Sequence, residues 1–273
     1  MLLASSKRAN GAPASNPEPG TRETPPPPQA VTRSLMDVTT GLPLTGERTV
    51  PGIAREQYWF ARHEMVYRWL APRCQDLRVL EAGSGEGYGA DILRRAGAWV
   101  VALDYDWAAI AHGAASYPVP HVQANLAALP VSEVDVVVSL QVIEHLWDLP
   151  GFLRESRRAA DWICLSTPNR LTFSPGLDRG QRPTNPFHVE EFDAEQLRDL
   201  VRGAGFGEVE LFGVHHGRRL QARPTLIAEQ IRAALDDEWP PELERFVATV
   251  TTEDFVVDTT GLGASLDLVV IAR

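Results

Sequence analysis

The sequence predicts an α/β fold, a largely parallel sheet wound doubly with helices on both faces. Three observations carry that expectation. The apolar strand end Val79-Leu80 breaks into glycines at 83, 85, 87 and 89, then runs into the helical pattern Ala90-Asp91-Ile92-Leu93. Strand, glycine turn and helix in that order form the opening unit of a doubly wound sheet, where ligands bind at the carboxyl ends of strands. Trp99 to Leu103 and Val134 to Leu140 are the unbroken apolar runs of strands buried on both faces. Each ends in polar residues able to meet a ligand, Asp104 in the first and Gln141 to His145 in the second.

At 273 residues the chain has room for one large α/β domain or two small ones. Residues 1–40 hold Pro25 to Pro28 among small polar residues, and so little apolar surface cannot offset the entropy of ordering. They are expected to be a disordered Pro-rich tail, with residues 41–273 forming the domain. The tail has four basic and three acidic residues, leaving 22 basic against 33 acidic in the body, a net of −11. Such a body disfavours nucleic acid, whose phosphates are held by Lys and Arg. Met1-Leu2-Leu3-Ala4 is too short for a signal-peptide core, and no run of eighteen apolar residues exists, so no membrane is expected. Two cysteines, Cys74 and Cys164, make no disulfide framework and suit a reduced cytoplasmic protein.

Taken in order, Gly52 to Leu70 reads as a helix with Tyr58, Met65, Val66, Trp69 and Leu70 on one stripe, ended by Pro72. Ala90 to Ala96 is a helix capped by Gly97. Trp99 to Leu103 is a strand ending in Asp104-Tyr105-Asp106, and an acid there can accept from both hydroxyls of a ribose. A short strand at His121-Val122-Gln123 leads to Asn125 and Leu126. Val134 to Leu140 is the fourth strand, Pro150 to Ala160 a helix, and Trp162 to Ser166 the fifth strand, ending in Thr167-Pro168-Asn169-Arg170. Leu171 to Glu191 lacks periodicity, and a loop so long inside a compact domain is usually functional. Asp193 and Gln196 form a capping box, stapled by Phe192, for a helix ending at Gly205. Glu208 to Val214 is a sixth strand. Residues 218–250 form an insertion with two helical segments, a substrate cap or a dimer surface. Ser265 to Ala272 is the last strand.

The glycine spacing narrows the ligand. A dinucleotide fingerprint from Gly83 requires glycine at 88, where Tyr88 stands. The pattern is instead Glu81-x-Gly83-x-Gly85-x-Gly87, which resembles motif I of the class I S-adenosylmethionine (SAM) methyltransferases. The run Glu144-His145 after the fourth strand is similar to the Glu-x-x-Glu-His motif of the ubiquinone-biosynthesis O-methyltransferase type, with Gln141 in place of the first acid. Leu44 to Pro51, Tyr58-Trp59-Phe60-x-Arg62-His63, Ser166 to Asn169 and Asn185-Pro186-Phe187-His188 look like an actinobacterial group associated with methylating sugar hydroxyls of intracellular polymethylated polysaccharides.

The resemblance implies a seven-stranded Rossmann-like sheet closed by an antiparallel hairpin, with a helical insertion before the last strand. It implies SAM as cofactor, held by Glu81, Gly83, Gly85, Gly87, Asp104, Tyr105, Asn125, Leu126 and Leu140. Arg62 would pair with the SAM carboxylate, because guanidinium binds carboxylate bidentately. Glu144 and His145 border the transferable methyl and are the catalytic candidates. Either His145 is a general base, or Glu144, His145 and His188 hold Mg²⁺ or Mn²⁺. Asn169, Arg170 and His188 would meet an oligosaccharide or other small-molecule acceptor, and the chain could form a homodimer. The competing readings are a phenol or secondary-metabolite methyltransferase, an RNA 2′-O-methyltransferase, a nicotinamide dehydrogenase and a non-catalytic SAM-binding protein. Tyr88 opposes the dehydrogenase, the acidic body opposes RNA, and the polar Glu144, His145 and His188 oppose a protein without catalysis.

Overall fold

The computed structural model describes residues 35–36, 43–44, 49 and 51–273. The tail expected over residues 1–40 lies outside the described residues, apart from β1 (Leu35–Met36), which pairs antiparallel with β2 (Pro43–Leu44).

The other strands form one sheet in chain order: β3 (Arg78–Ala82), β4 (Trp99–Asp104), β5 (His121–Gln123), β6 (Val134–Leu140), β7 (Ala160–Pro168), β8 (Val209–His216), β9 (Phe255–Asp258) and β10 (Asp267–Ala272). Their order across the sheet is β5-β4-β3-β6-β7-β10-β8-β9. The first five of these are parallel, and β10, β8 and β9 pair antiparallel. The sheet therefore has eight strands, one more than expected. The extra strand β9 joins the β8 edge as Val214↔Val257 and His216↔Phe255. Its four residues were too few to show a period of two against the preceding insertion.

Apolar residues alternate between the two faces along each strand. Val79, Val136, Val138, Cys164 and Ile271 face one core, which also takes Tyr58, Leu70 and Leu93. Leu80, Val137, Ile163, Leu165 and Leu268 face the other, with Phe152, Leu197 and Phe206. A sheet covered on both sides is apolar at most positions of its central strands, which is the run-like pattern the sequence carries. Both cysteines are free and buried.

The helices are α1 (Gln57–Leu70), α2 (Tyr88–Arg95), α3 (Trp107–Ser116), α4 (Leu149–Ala159), α5 (Arg170–Phe173), α6 (Ala194–Gly203), α7 (Arg218–Gln221), α8 (Leu226–Asp236) and α9 (Pro241–Val247). Asp193 and Gln196 close the capping box of α6. α3 was not legible: Trp-Ala-Ala-Ile-Ala-His-Gly-Ala-Ala-Ser offers no apolar stripe, and what starts it is the Asp106 carboxylate accepting from Ala108 N–H. In the insertion, Leu226, Ala233, Leu243 and Val247 join the core beside α1. Arg55 pairs with Glu244, and Gln57 donates to the Val250 carbonyl, so this segment packs on the start of α1. Among the described residues no helix is long and apolar enough to cross a membrane.

Candidate active site

The glycine loop leaves β3 at the carboxyl edge of the sheet. The amides of Gly83 and Ser84 both donate to the Leu103 carbonyl, at 2.8 and 2.9 Å, which folds the loop over the end of β4. Gly83, Gly85 and Gly87 all have φ between +49° and +84°, where a side chain is strained. A Cβ on Gly83 would stand 2.5 Å from Val142 Cγ2, whereas one on Gly85 would meet nothing within 4 Å. Gly83 is therefore glycine because of Val142 beside it, and Gly85 because its φ of 49° is strained for any other residue. Asp104 Oδ2 accepts from Gly85 N–H at 2.8 Å and Oδ1 from Asp106 N–H at 2.9 Å. The Asp104 carboxylate keeps further lone pairs for the hydroxyls of a ribose, so the cradle fits the nucleoside part of a cofactor.

Glu81 lies under the loop, fully buried. Desolvation pushes its carboxyl up to about 8. Among the described residues neither oxygen reaches hydrogen-bond geometry, although the Tyr67 hydroxyl and the Ala90 amide lie near enough to favour the charged form. Tyr88 opens α2 with its hydroxyl bonded to Thr49 and to His63 Nδ1. Leu126 and Leu140 are buried, while Tyr105 is exposed and follows Asp104 directly. Asn125 is exposed and turned inward on its own chain, Oδ1 accepting from Ala127 N–H at 2.9 Å.

Arg62 corrects an expectation. Its Nε donates to Asp267 Oδ2 at 2.6 Å and its Nη2 to Oδ1, and both residues are buried. The bidentate fork assigned to a SAM carboxylate is thus spent on β10. Asp267 is polar at the start of an apolar strand, and nothing in its neighbourhood in sequence points to α1.

Past β6 the chain turns at Gln141, which has φ of 57° although it carries a side chain. Its amide donates to the Ser166 carbonyl at 2.9 Å, and its Nε2 to Ser166 Oγ at 3.2 Å. Strain held by such contacts gathers at functional sites. The turn brings Glu144 inside and leaves His145 half-buried. Glu144, His145 and His188 each offer a ligand atom, and these lie within 4.8 Å of one another. Two contacts bring the distant loop to this place: the Glu144 carbonyl accepts from Val189 N–H at 2.7 Å, and the Phe187 carbonyl stands 3.2 Å from His145 Nδ1. A carbonyl only accepts, so Nδ1 of His145 carries the proton and Nε2 the lone pair. Desolvation lowers the His145 pKa from its ordinary value, which favours the neutral ring. Nε2 lies 4.0 Å from Glu144 Oε1. Trp147 and Phe187 stand exposed nearby in the sequence and on the loop.

Asn169 and Arg170, expected to touch an acceptor, are committed to structure. Asn169 is fully buried, donates to the carbonyls of Leu262 and Ser265, and caps α5 through Leu171 N–H. Arg170 reaches Asp193 at 2.6 Å and the Leu177 carbonyl, pinning the loop to the start of α6. Trp239 packs partly buried against the core, with the Arg55 guanidinium over its ring. Sequence reasoning missed Glu191, whose Oε1 meets His188 Nδ1 at 2.7 Å. Its only signal was a spacing of three after His188.

Residues 54–211 match the methyltransferase domain family. The chain is 47% identical over 262 residues to a probable S-adenosylmethionine-dependent methyltransferase of Mycobacterium tuberculosis, covering 90% of this chain and 93% of that one. It is 48% identical over 248 residues to a counterpart from Mycolicibacterium smegmatis, covering 85% and 95%. Two solved SAM-dependent methyltransferases share the fold. That of Thermotoga maritima gives a TM-score of 0.55 at 17% identity, covering 79% of this chain and 92% of that one. That of Archaeoglobus fulgidus gives 0.52 at 18%, covering 80% and 96%.

Proposed function

The chain belongs to the SAM-dependent methyltransferases, and from that premise we propose that it methylates a hydroxyl of a neutral sugar or oligosaccharide. The observation that carries this reading is the place of His145: its Nδ1 faces the Phe187 carbonyl at 3.2 Å, which makes Nε2, 4.0 Å from the buried Glu144 carboxylate, the nitrogen suited to take a proton. A sugar hydroxyl is a poor nucleophile and must lose its proton as the methyl transfers. SAM supplies an electrophilic methyl on a cationic sulfonium. In the transfer this would supply, the acceptor oxygen would take the methyl, S-adenosylhomocysteine would leave, and His145 Nε2 would accept the hydroxyl proton. Glu144 stabilises the imidazolium so formed, as a carboxylate about 4 Å away does in a desolvated site. The loop of Gly83, Gly85 and Gly87 with Asp104, and Glu81 beneath it, holds the cofactor. Tyr105 and Leu126 flank its nucleoside end and Leu140 its methyl end.

The exposed Trp147 and Phe187 offer faces on which a sugar ring can stack. The net of −11 over residues 41–273 disfavours polyphosphates. These features, with the resemblance to the actinobacterial group, support polymethylated polysaccharide biosynthesis as the setting, in the cytoplasm.

A second reading uses the same group differently. Glu144, His145 and His188 could hold a divalent cation that lowers the hydroxyl pKa and orients it. One carboxylate with two imidazoles suits Mn²⁺ better than Mg²⁺, which demands oxygen ligands. Gln141 keeps a second carboxylate out of the set.

The test incubates the protein with labelled SAM and gluco- and manno-oligosaccharides, small phenols and total RNA, with and without EDTA. Label in an oligosaccharide is expected. Label in phenol or RNA alone would overturn the acceptor, and activity lost to EDTA and restored by Mn²⁺ would select the second reading.

A further inference from the structure

Beyond the cofactor loop and His145, one buried arrangement has no task yet. His188 and Glu191 are both buried, and His188 Nδ1 stands 2.7 Å from Glu191 Oε1. Glu191 Oε2 is also enclosed and, among the described residues, has no hydrogen-bond partner. An enclosed carboxylate oxygen left unmatched is destabilising, and the bond of Oε1 to His188 Nδ1 offsets part of the cost of burying Glu191.

The neighbouring bonds fix the proton on His188. Phe187 N–H donates to Asn185 Oδ1 at 3.0 Å, which sets the orientation of that side-chain amide. Asn185 Nδ2 therefore faces His188 Nε2, 3.0 Å away, as a donor. An imidazole nitrogen that accepts carries no proton, so Nε2 holds the lone pair and Nδ1–H donates to Glu191. Phe173 stacks on the ring with centroids 5.5 Å apart, and the His145 ring meets it edge-on at 5.0 Å. The ring is clamped by a carboxylate, an amide and an aromatic face.

We infer that Glu191 is a positioning residue for the methyl-transfer site: it holds His188 as the Nδ1–H tautomer, so that Nε2 is the nitrogen presented beside Glu144 and His145. The inference rests on the function proposed above and adds a residue that neither chemistry had named. A carboxylate behind a histidine fixes tautomer and ring orientation, and removing such a partner typically lowers activity or metal affinity about 10- to 100-fold. In the structure the Asn185 amide donates to that lone pair, so a hydroxyl proton or a cation reaches Nε2 by displacing it, and Glu191 keeps the lone pair on that side of the ring in either case. Glu191 also closes the loop, because Val189 and Glu190, just before it, donate to the Glu144 carbonyl.

The experiment reads the tautomer first. A two-bond ¹H–¹⁵N spectrum of the imidazoles at pH 8, with His188 assigned by comparison with His188→Gln, is expected to show Nδ1 protonated and Nε2 bare. Glu191→Ala is then compared with Glu191→Gln, which keeps an acceptor oxygen. Glu191→Ala should lose the fixed Nδ1–H signature and transfer label about 10- to 100-fold more slowly, with SAM affinity by calorimetry unchanged. Glu191→Gln should recover most of the rate. A wild-type His188 protonated on Nε2 would overturn the inference, as would folded Glu191→Ala turning over at the wild-type rate. Absence of transfer to every acceptor by the wild type would instead overturn the function above, and the wild-type spectrum would still decide the tautomer.

Discussion

The Gly85 amide donates to the Asp104 carboxylate across 2.8 Å, so the glycine loop and the acid at the end of β4 form one unit. The acid organises the loop before it meets any ligand. Asp104→Ala should therefore weaken SAM twice over, by removing the ribose acceptor and by loosening the loop. A hydrogen bond to a charged group contributes about 1.5–3 kcal/mol, which is roughly 10- to 150-fold in affinity. Titration calorimetry measures it, and unchanged affinity would remove Asp104 from the cofactor site.

Two glycines of the same loop should fail in different ways. Gly83→Ala forces Cβ into Val142 at a positive φ and should destabilise the fold by about 2–5 kcal/mol. Gly85→Val places its side chain in open space, so strain of about 1–2 kcal/mol is the main penalty, yet SAM binding should vanish. Urea unfolding beside calorimetry separates the two. Equal losses of stability would refute the distinction.

Arg62 should behave as a structural residue. Breaking its buried pair with Asp267 leaves an uncompensated carboxylate, which costs about 3–5 kcal/mol. Replacing both partners together, Arg62→Met with Asp267→Leu, should recover much of that loss. If Arg62→Ala were as stable as the wild type and only SAM affinity fell, the original assignment to the cofactor would return.

Stability should fall as pH rises from about 5 to 8, through Glu81. Its carboxyl stays protonated in the fold up to about 8, whereas the unfolded chain releases the proton near a pKa of about 4.3. The folded state binds more protons across that interval, so raising the pH favours unfolding. Glu81→Gln should flatten this slope in urea midpoints taken at pH 5.5 and 8. His63 and His216 act in the opposite direction: burial lowers both to about 4, so their contribution is lost as pH falls from about 6.5 towards 4.

Trp147 is 73% exposed and supports no core. Trp147→Ala should leave the melting temperature unchanged and raise the KM of an oligosaccharide acceptor. Aromatic stacking contributes about 0.5–1.5 kcal/mol, roughly 2- to 13-fold. An unaltered KM would take the acceptor off that side of the site.

The strands from β3 to β7, the helices α1, α2, α4 and α6, and the glycine loop were legible because their signals are local. Period, capping residues and glycines at positive φ are written within a few residues of the element they form. The positions of Asp104 at the end of β4, of Glu81 one residue before the end of β3, and of Glu144 and His145 in the turn after β6 were legible for the same reason. β9 and α3 were not, since four residues show no period and an alanine-rich helix shows no stripe.

By itself, then, the sequence determined a doubly wound sheet with a glycine loop after β3 and set Glu144-His145 just past β6. Only the tertiary structure decided which polar side chains face one another. Arg62 goes to Asp267, 205 residues away, and Asn169 to the carbonyls of Leu262 and Ser265. His188 is carried to His145 by the loop's bonds to Glu144, and Glu191 stands behind it. A local pattern records the backbone's own preferences, whereas a buried charge takes whichever partner the fold brings within reach, because leaving it unpaired costs more than any local preference returns.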